Sequence, residues 1–217
     1  MKKQIIEKVA EIVKKELAKN DASHDFWHIY RDWNLAKNIW EKEWWDMFVI
    51  ELGALLHDIA DHKYYDGDET VGPKKAREIL ESLDVEEEVI EHIVKIIENI
   101  SFSKSLDWER KFNSKELEII QDADMLDGIG AIWIWRTFTY GWAKKTPMYD
   151  PEIKPKLNMT KQEYKNNKWT TINHFYEKLF LLKDRMNTKT WKQIAEHRHK
   201  VMQDFVEEFL KEWEGEK

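Results

Sequence analysis

The chain of 217 residues contains no cysteine, which excludes disulfides and thiolate metal sites. It holds only 7 glycines and 4 prolines. Few breakers argue for helices and against a many-turned β architecture. No apolar run approaches the ~18 residues that a membrane-spanning helix needs, so no membrane partner is expected. The start, Met1-Lys-Lys-Gln-Ile-Ile-Glu7, interrupts its apolar residues with charge and does not read as a secretory signal. A cytoplasmic protein is the expectation. Positive charge is also in deficit. A net charge of −7 suits a poor binder of DNA or RNA backbones, so no nucleic-acid polymer is expected as partner.

What is present reads as helix almost throughout, and the predicted fold class is all-α. Apolar residues recur at three- and four-residue steps from Ile5 to Leu17. Further helices are predicted over about 25–43, 45–61, 72–83 and 85–100. Pro73 lies near the first turn of its helix. Residues 101–113 read as an irregular loop. Ser114 is a candidate N-cap for the next helix, although Leu117 at the third position leaves the capping box incomplete. Gly128 and Gly130 suggest a close approach to a neighbour. Residues 141–168 contain Pro147, Pro151 and Pro155 and read as an insertion or lid. Two last helices are expected over about 171–186 and 190–213. There is no internal repeat and no linker, so one domain over 1–217 is predicted. The 12 tryptophans mostly follow helical spacing, as in Ile29, Trp33, Ala36 and Trp40, and read as core and helix-packing residues in preference to a base-stacking surface.

Chemistry concentrates in three places. The apolar run Phe48–Leu56 closes on His57-Asp58, with Asp61 one helical turn beyond His57. Upstream lies Ser23-His-Asp-Phe-Trp-His28, and downstream Gln121-Asp-Ala-Asp-Met-Leu-Asp127. Taken alone, His57-Asp58-x-x-Asp61 reads equally well as a solvated helix end. Three clusters of imidazoles and carboxylates beside apolar segments form the inventory of a divalent-metal site with nitrogen and oxygen donors.

The order His28, then His57-Asp58, then Asp124 resembles the HD-domain superfamily of metal-dependent phosphohydrolases, whose pattern is His…His-Asp…Asp. His24-Asp-Phe-Trp-His-Ile-Tyr-Arg31, Ala54-Leu-Leu-His-Asp-Ile-Ala-Asp61, Gly130-Ala-Ile-Trp-Ile-Trp-Arg-Thr-Phe138 and Asn173-His-Phe-Tyr-Glu-Lys-Leu179 are similar to a small single-domain bacterial and archaeal branch. The likeness runs from about residue 20 to about residue 210. It implies an HD-type helical bundle with a central metal pocket and assigns His28, His57, Asp58 and Asp124 to the ion. His24 and His28 both offer a first ligand. The family's helix context favours His28, which leaves His24 near the site or on the substrate side. Met125 stands where many members carry arginine, so a phosphate contact from that position is not expected here.

One divalent ion is expected, because two-metal members use further paired histidines and only His62 and His92 fall in the relevant interval. Mn, Mg, Co, Ni, Fe and Zn all accept these donors. Asp61 is the candidate general base, alongside Asp58 as a catalytic ligand. Asp122 and Asp127 are candidates to orient ligand imidazoles. Arg31, Lys63, Arg136, His174 and Lys178 are candidate phosphate contacts. The resemblance implies hydrolysis of a nucleotide or another small phosphate ester, with pyrophosphate cleavage of nucleoside triphosphates among the expected reactions. The alternative is a non-catalytic module that keeps the fold and senses a nucleotide. The intact ligand set and Asp61 favour the enzyme.

Overall fold

A computed structural model describes residues 1–18, 25–43, 45–60, 65, 67–100, 112–160, 163, 167, 169–188 and 191–216, leaving aside the side chains of 39–43. The helices are α1 (Lys2–Leu17), α2 (Phe26–Glu43), α3 (Met47–Leu56), α4 (Val71–Glu81), α5 (Glu87–Asn99), α6 (Lys115–Asp127), α7 (Ala131–Ala143), α8 (Thr171–Glu177) and α9 (Lys192–Trp213). A 3-10 segment, Leu179–Arg185, separates α8 from α9. No strand occurs among the described residues, as the scarcity of breakers predicts. The chain divides into two compact units, Met1–Ala123 and Asp124–Lys217.

In the first unit α3 is the central element. Phe48, Val49, Ile50, Leu52, Leu55 and Leu56 are all buried and Glu51 is the one charged residue, so this helix is apolar on almost every side and must be enclosed. It packs against α1, α2 and α5. Gly53 permits closest approach, since a Cβ there would lie 2.6 Å from Cδ1 of Ile120 on α6. Asp46 starts α3 by accepting from the Phe48 and Val49 amides at 2.9 and 3.5 Å. Ser114 Oγ accepts from the Leu117 amide at 3.1 Å, which is the cap expected for α6.

The second unit surrounds an aromatic cluster in which Phe138 of α7 meets Phe175 of α8 and both Phe205 and Phe209 of α9, with ring centroids 5.7–6.4 Å apart. Gly130 precedes α7 at φ 95°, and a Cβ there would meet Arg198 Cγ at 3.1 Å, in line with the predicted close approach.

Three expectations meet a different outcome. The helix carrying His57 stops at Leu56, and residues 57–60 form a turn. The helix expected over 171–186 breaks at Lys178, whose φ −139° and ψ −59° cannot continue it, and resumes as 3-10. The tryptophans are not mainly core. Trp191 alone is buried among the described ones, whereas Trp27, Trp45, Trp135, Trp142 and Trp213 are exposed. Tryptophan is too large to be buried fully at most helical positions, and it tolerates an edge exposed to water.

The proline-rich stretch after α7 is laced to α8. Pro147 and Met148 carbonyls accept from the Thr171 and Ile172 amides at 3.0 Å each, and the Ile153 carbonyl accepts from Asn173 Nδ2 at 2.7 Å. The buried Glu177 carboxylate accepts from the Lys156 amide and from Asn167 Nδ2, both at 3.0 Å.

Candidate metal centre

The site is built first on α2. Asp25 caps this helix, its carboxylate accepting from the Trp27 amide at 3.1 Å and the His28 amide at 3.3 Å. The cap fixes where the first turn begins and so where His28 points. His28 is buried, and Asp32 follows one turn later with no exposed surface. Residues four apart share a face, and His28 Nε2 lies 3.3 Å from Asp32 Oδ2.

The second imidazole comes from the turn that ends α3. The His57 amide donates to the Gly53 carbonyl at 2.9 Å, and its ring Nδ1 lies 2.9 Å from the Ala54 carbonyl. A carbonyl only accepts, so Nδ1 carries the proton of the neutral ring and Nε2 presents a lone pair. That Nε2 is buried without a hydrogen-bond partner among the described residues. It faces Asp32 Oδ2 at 3.5 Å. The two imidazole rings stand 5.7 Å apart at 76°. One donor atom each from His28, Asp32, His57 and Asp124 lies within 4.8 Å of all the others, a grouping able to hold a metal ion. Asp124 is one residue past Ala123 on the unbroken α6. The donor set of two imidazoles and two carboxylates suits a divalent ion of intermediate hardness.

Beside Asp124, the second carboxylate in this tight group is Asp32, where Asp58 was expected. Asp58 Oδ2 stands 3.7 Å from His28 Nε2, with its side chain 35% exposed. Asp32 carries the i,i+4 relation to His28 that Asp61 carries to His57, and that spacing was the available signal. Asp122 is fully buried on α6. Asp127 accepts from Arg136 Nη1 at 3.1 Å, both side chains being buried, and the Arg136 guanidinium also lies over the Trp133 ring at 4.3 Å. These two residues, expected at an imidazole and at a phosphate, therefore engage each other in the second unit. Arg31, on α2, and Lys178, after α8, are half-buried. Half-buried His174 packs against Trp169 at 5.3 Å; loss of hydration pushes its imidazole down to about 3, and the Lys178 ammonium acts in the same direction. It is neutral at physiological pH and offers a phosphate a hydrogen bond, not a charge. Of the two histidines in the interval where two-metal members carry further ligands, His92 has its Nε2 3.0 Å from Ser114 Oγ. His24, Asp61, His62 and Lys63 lie outside the described residues.

An all-helical fold that groups a histidine and an aspartate of α2 with a histidine of the turn after α3 defines a class of metal-binding helical domain. The HD domain model matches residues 26–129, which contain every member of the tight group. The chain belongs to the HD-domain superfamily of metal-dependent phosphohydrolases. It is similar to the uncharacterized protein YpgQ of Bacillus subtilis, with 32% identity over 209 residues covering 96% of this chain and 94% of YpgQ. Among solved structures, a Lactobacillus plantarum protein superposes with a TM-score of 0.85 at 34% identity, covering 98% of each chain. An HD-superfamily hydrolase from Bacillus thuringiensis gives 0.76 at 43% identity over 99% of each. The crystal structure of YpgQ in complex with ADP also gives 0.76, covering 97% of this chain and 96% of that one. No described helix is long and apolar enough to cross a membrane.

Proposed function

We propose that this protein is a metal-dependent phosphohydrolase acting on a nucleotide or another small phosphate ester, with cleavage of nucleoside triphosphates to monophosphate and pyrophosphate as the reaction to test first. The observation that carries the reading is the lone pair of His57 Nε2, buried and directed into a group of imidazole and carboxylate donors. Such a nitrogen calls for a cation. Membership of the HD superfamily supports hydrolysis, and the ADP complex of YpgQ supports a nucleotide.

In this reading His28, His57, Asp58 and Asp124 hold one divalent ion, with Mn, Mg, Co, Ni, Fe and Zn as candidates. A divalent ion of this kind supplies Lewis acidity toward a phosphoryl group and acidifies water. The Ala54 carbonyl holds the His57 ring in the tautomer that leaves Nε2 as donor. Asp61 is proposed to take the proton of the attacking water, with Arg31, Lys63 and Lys178 neutralising phosphate oxygens. The acidic net charge, −7, leaves that task to local cations and the ion.

The test is a panel of nucleoside mono-, di- and triphosphates and a generic aryl phosphate, each assayed with Mn, Co or Mg and resolved by anion-exchange chromatography. Release of pyrophosphate and monophosphate from triphosphates is expected. Nucleotide binding with no product from any compound would replace the enzyme by a nucleotide sensor.

A further inference from the structure

We infer that Asp32 is a ligand of this protein's metal ion, additional to the His…His-Asp…Asp pattern of the superfamily. The inference rests on the metal-site part of the proposed function but not on the reaction. Three observations carry it, all within the first compact unit.

The first is spacing. Asp32 Oδ2 lies 3.3 Å from His28 Nε2 and 3.5 Å from His57 Nε2. Donors bound to one ion at about 2.1 Å stand roughly 3.0–3.4 Å from one another, so the first separation falls within the range for neighbouring ligands and the second lies 0.1 Å beyond it. The second is register. His28 and Asp32 are one turn apart on α2 and both are buried, so their donor atoms face the same point without rearrangement. The third distinguishes a ligand from a brace. A carboxylate that merely orients a ligand histidine accepts the ring N–H that the metal does not use. On His57 that N–H is on Nδ1, next to the Ala54 carbonyl. Asp32 instead meets the opposite edge, where the neutral ring has a lone pair. A buried lone pair facing a carboxylate oxygen is repulsive unless a cation lies between them.

Asp32 therefore adds a negative oxygen donor to the two imidazoles. A richer oxygen set holds hard divalent ions such as Mn more firmly.

The experiment titrates Mn into metal-free wild type and Asp32→Asn, using a competing chelator, and records the melting temperature of each with and without Mn. Asparagine keeps the shape and removes the charge. The expected result is Mn affinity weakened by roughly tenfold or more, a smaller Mn-induced rise in Tm, and a metal-free variant at least as stable as the metal-free wild type. Affinity within twofold of wild type overturns the assignment. So does a metal-free variant that melts lower while keeping the full Mn-induced rise, which marks a structural carboxylate. Should Asp32→Asn not fold, Asp32→Ser is read by the same criteria. A wild type that binds no Mn, Co or Zn also overturns it. Wild type that binds Mn but hydrolyses nothing leaves the ligand standing and removes only the proposed reaction.

Discussion

Replacing His174 by glutamine should flatten the loss of stability that the protein suffers on acidification. His174 is half-buried against Trp169, and its imidazole is held at about 3, chiefly by loss of hydration and secondarily by the Lys178 ammonium. An unfolded histidine titrates near 6.5. The folded value is the lower one, so the contribution to stability is complete above about 6.5 and is lost as pH falls toward 3. Between pH 7 and pH 5 the unfolded chain takes up this proton while the folded chain does not. The linkage amounts to about 2 kcal/mol for full burial, and to about 1–2 kcal/mol once partial access of solvent is allowed for. Urea denaturation of wild type and His174→Gln at pH 7 and pH 5, followed by tryptophan fluorescence, reads it directly. Other groups titrate in both proteins, so the difference between the two losses isolates this residue. Equal losses in wild type and variant would refute the argument and return His174 to the candidates for a charged phosphate contact.

Gly130→Ala places a side chain at φ 95° and ψ −164°, a region open essentially to glycine, and against Arg198; it should cost about 1–3 kcal/mol in thermal denaturation. Ser114→Ala removes the acceptor for the Leu117 amide and should lower stability by about 1 kcal/mol in urea, with no change at all counting against the cap. Asp58→Ala should abolish turnover on any substrate the panel identifies, measured by steady-state kinetics. Asp61→Asn should keep its Mn by elemental analysis yet lose on the order of 10²-fold in kcat, and full activity would remove it as the base.

Helix content was legible because it depends on periodicity and on the scarcity of breakers, both local properties. The breaks that matter were not. α3 stops at Leu56 although nothing in Leu55-Leu-His-Asp-Ile59 forbids another helical turn; the His57 ring there faces Asp32 of α2, a partner 25 residues away in sequence. Lys178 leaves helical geometry in a stretch with no glycine or proline, directly after Glu177, whose carboxylate anchors residues 156 and 167. In both places a side chain engages partners that periodicity cannot supply.

The candidate site was legible where donors are adjacent or repeated in a motif, and illegible where a single carboxylate occupies a helical stripe. His57-Asp58 announces itself because two ionisable residues close an apolar run. Asp32 sits between Arg31 and Trp33, where a solvated role is the ordinary reading of an aspartate. Its complete burial reverses that reading, since a carboxylate removed from water persists only with compensating charge or hydrogen bonds. The physical cue was present in the numbering, as Asp32 stands four residues from a histidine already singled out. Spacing acquires chemical weight only when burial is known, because an i,i+4 pair on an exposed face contributes a few tenths of a kcal/mol while the same pair facing inward has to be neutralised. That requirement is what the Asp32→Asn titration tests, at a position that the superfamily's His…His-Asp…Asp pattern does not include.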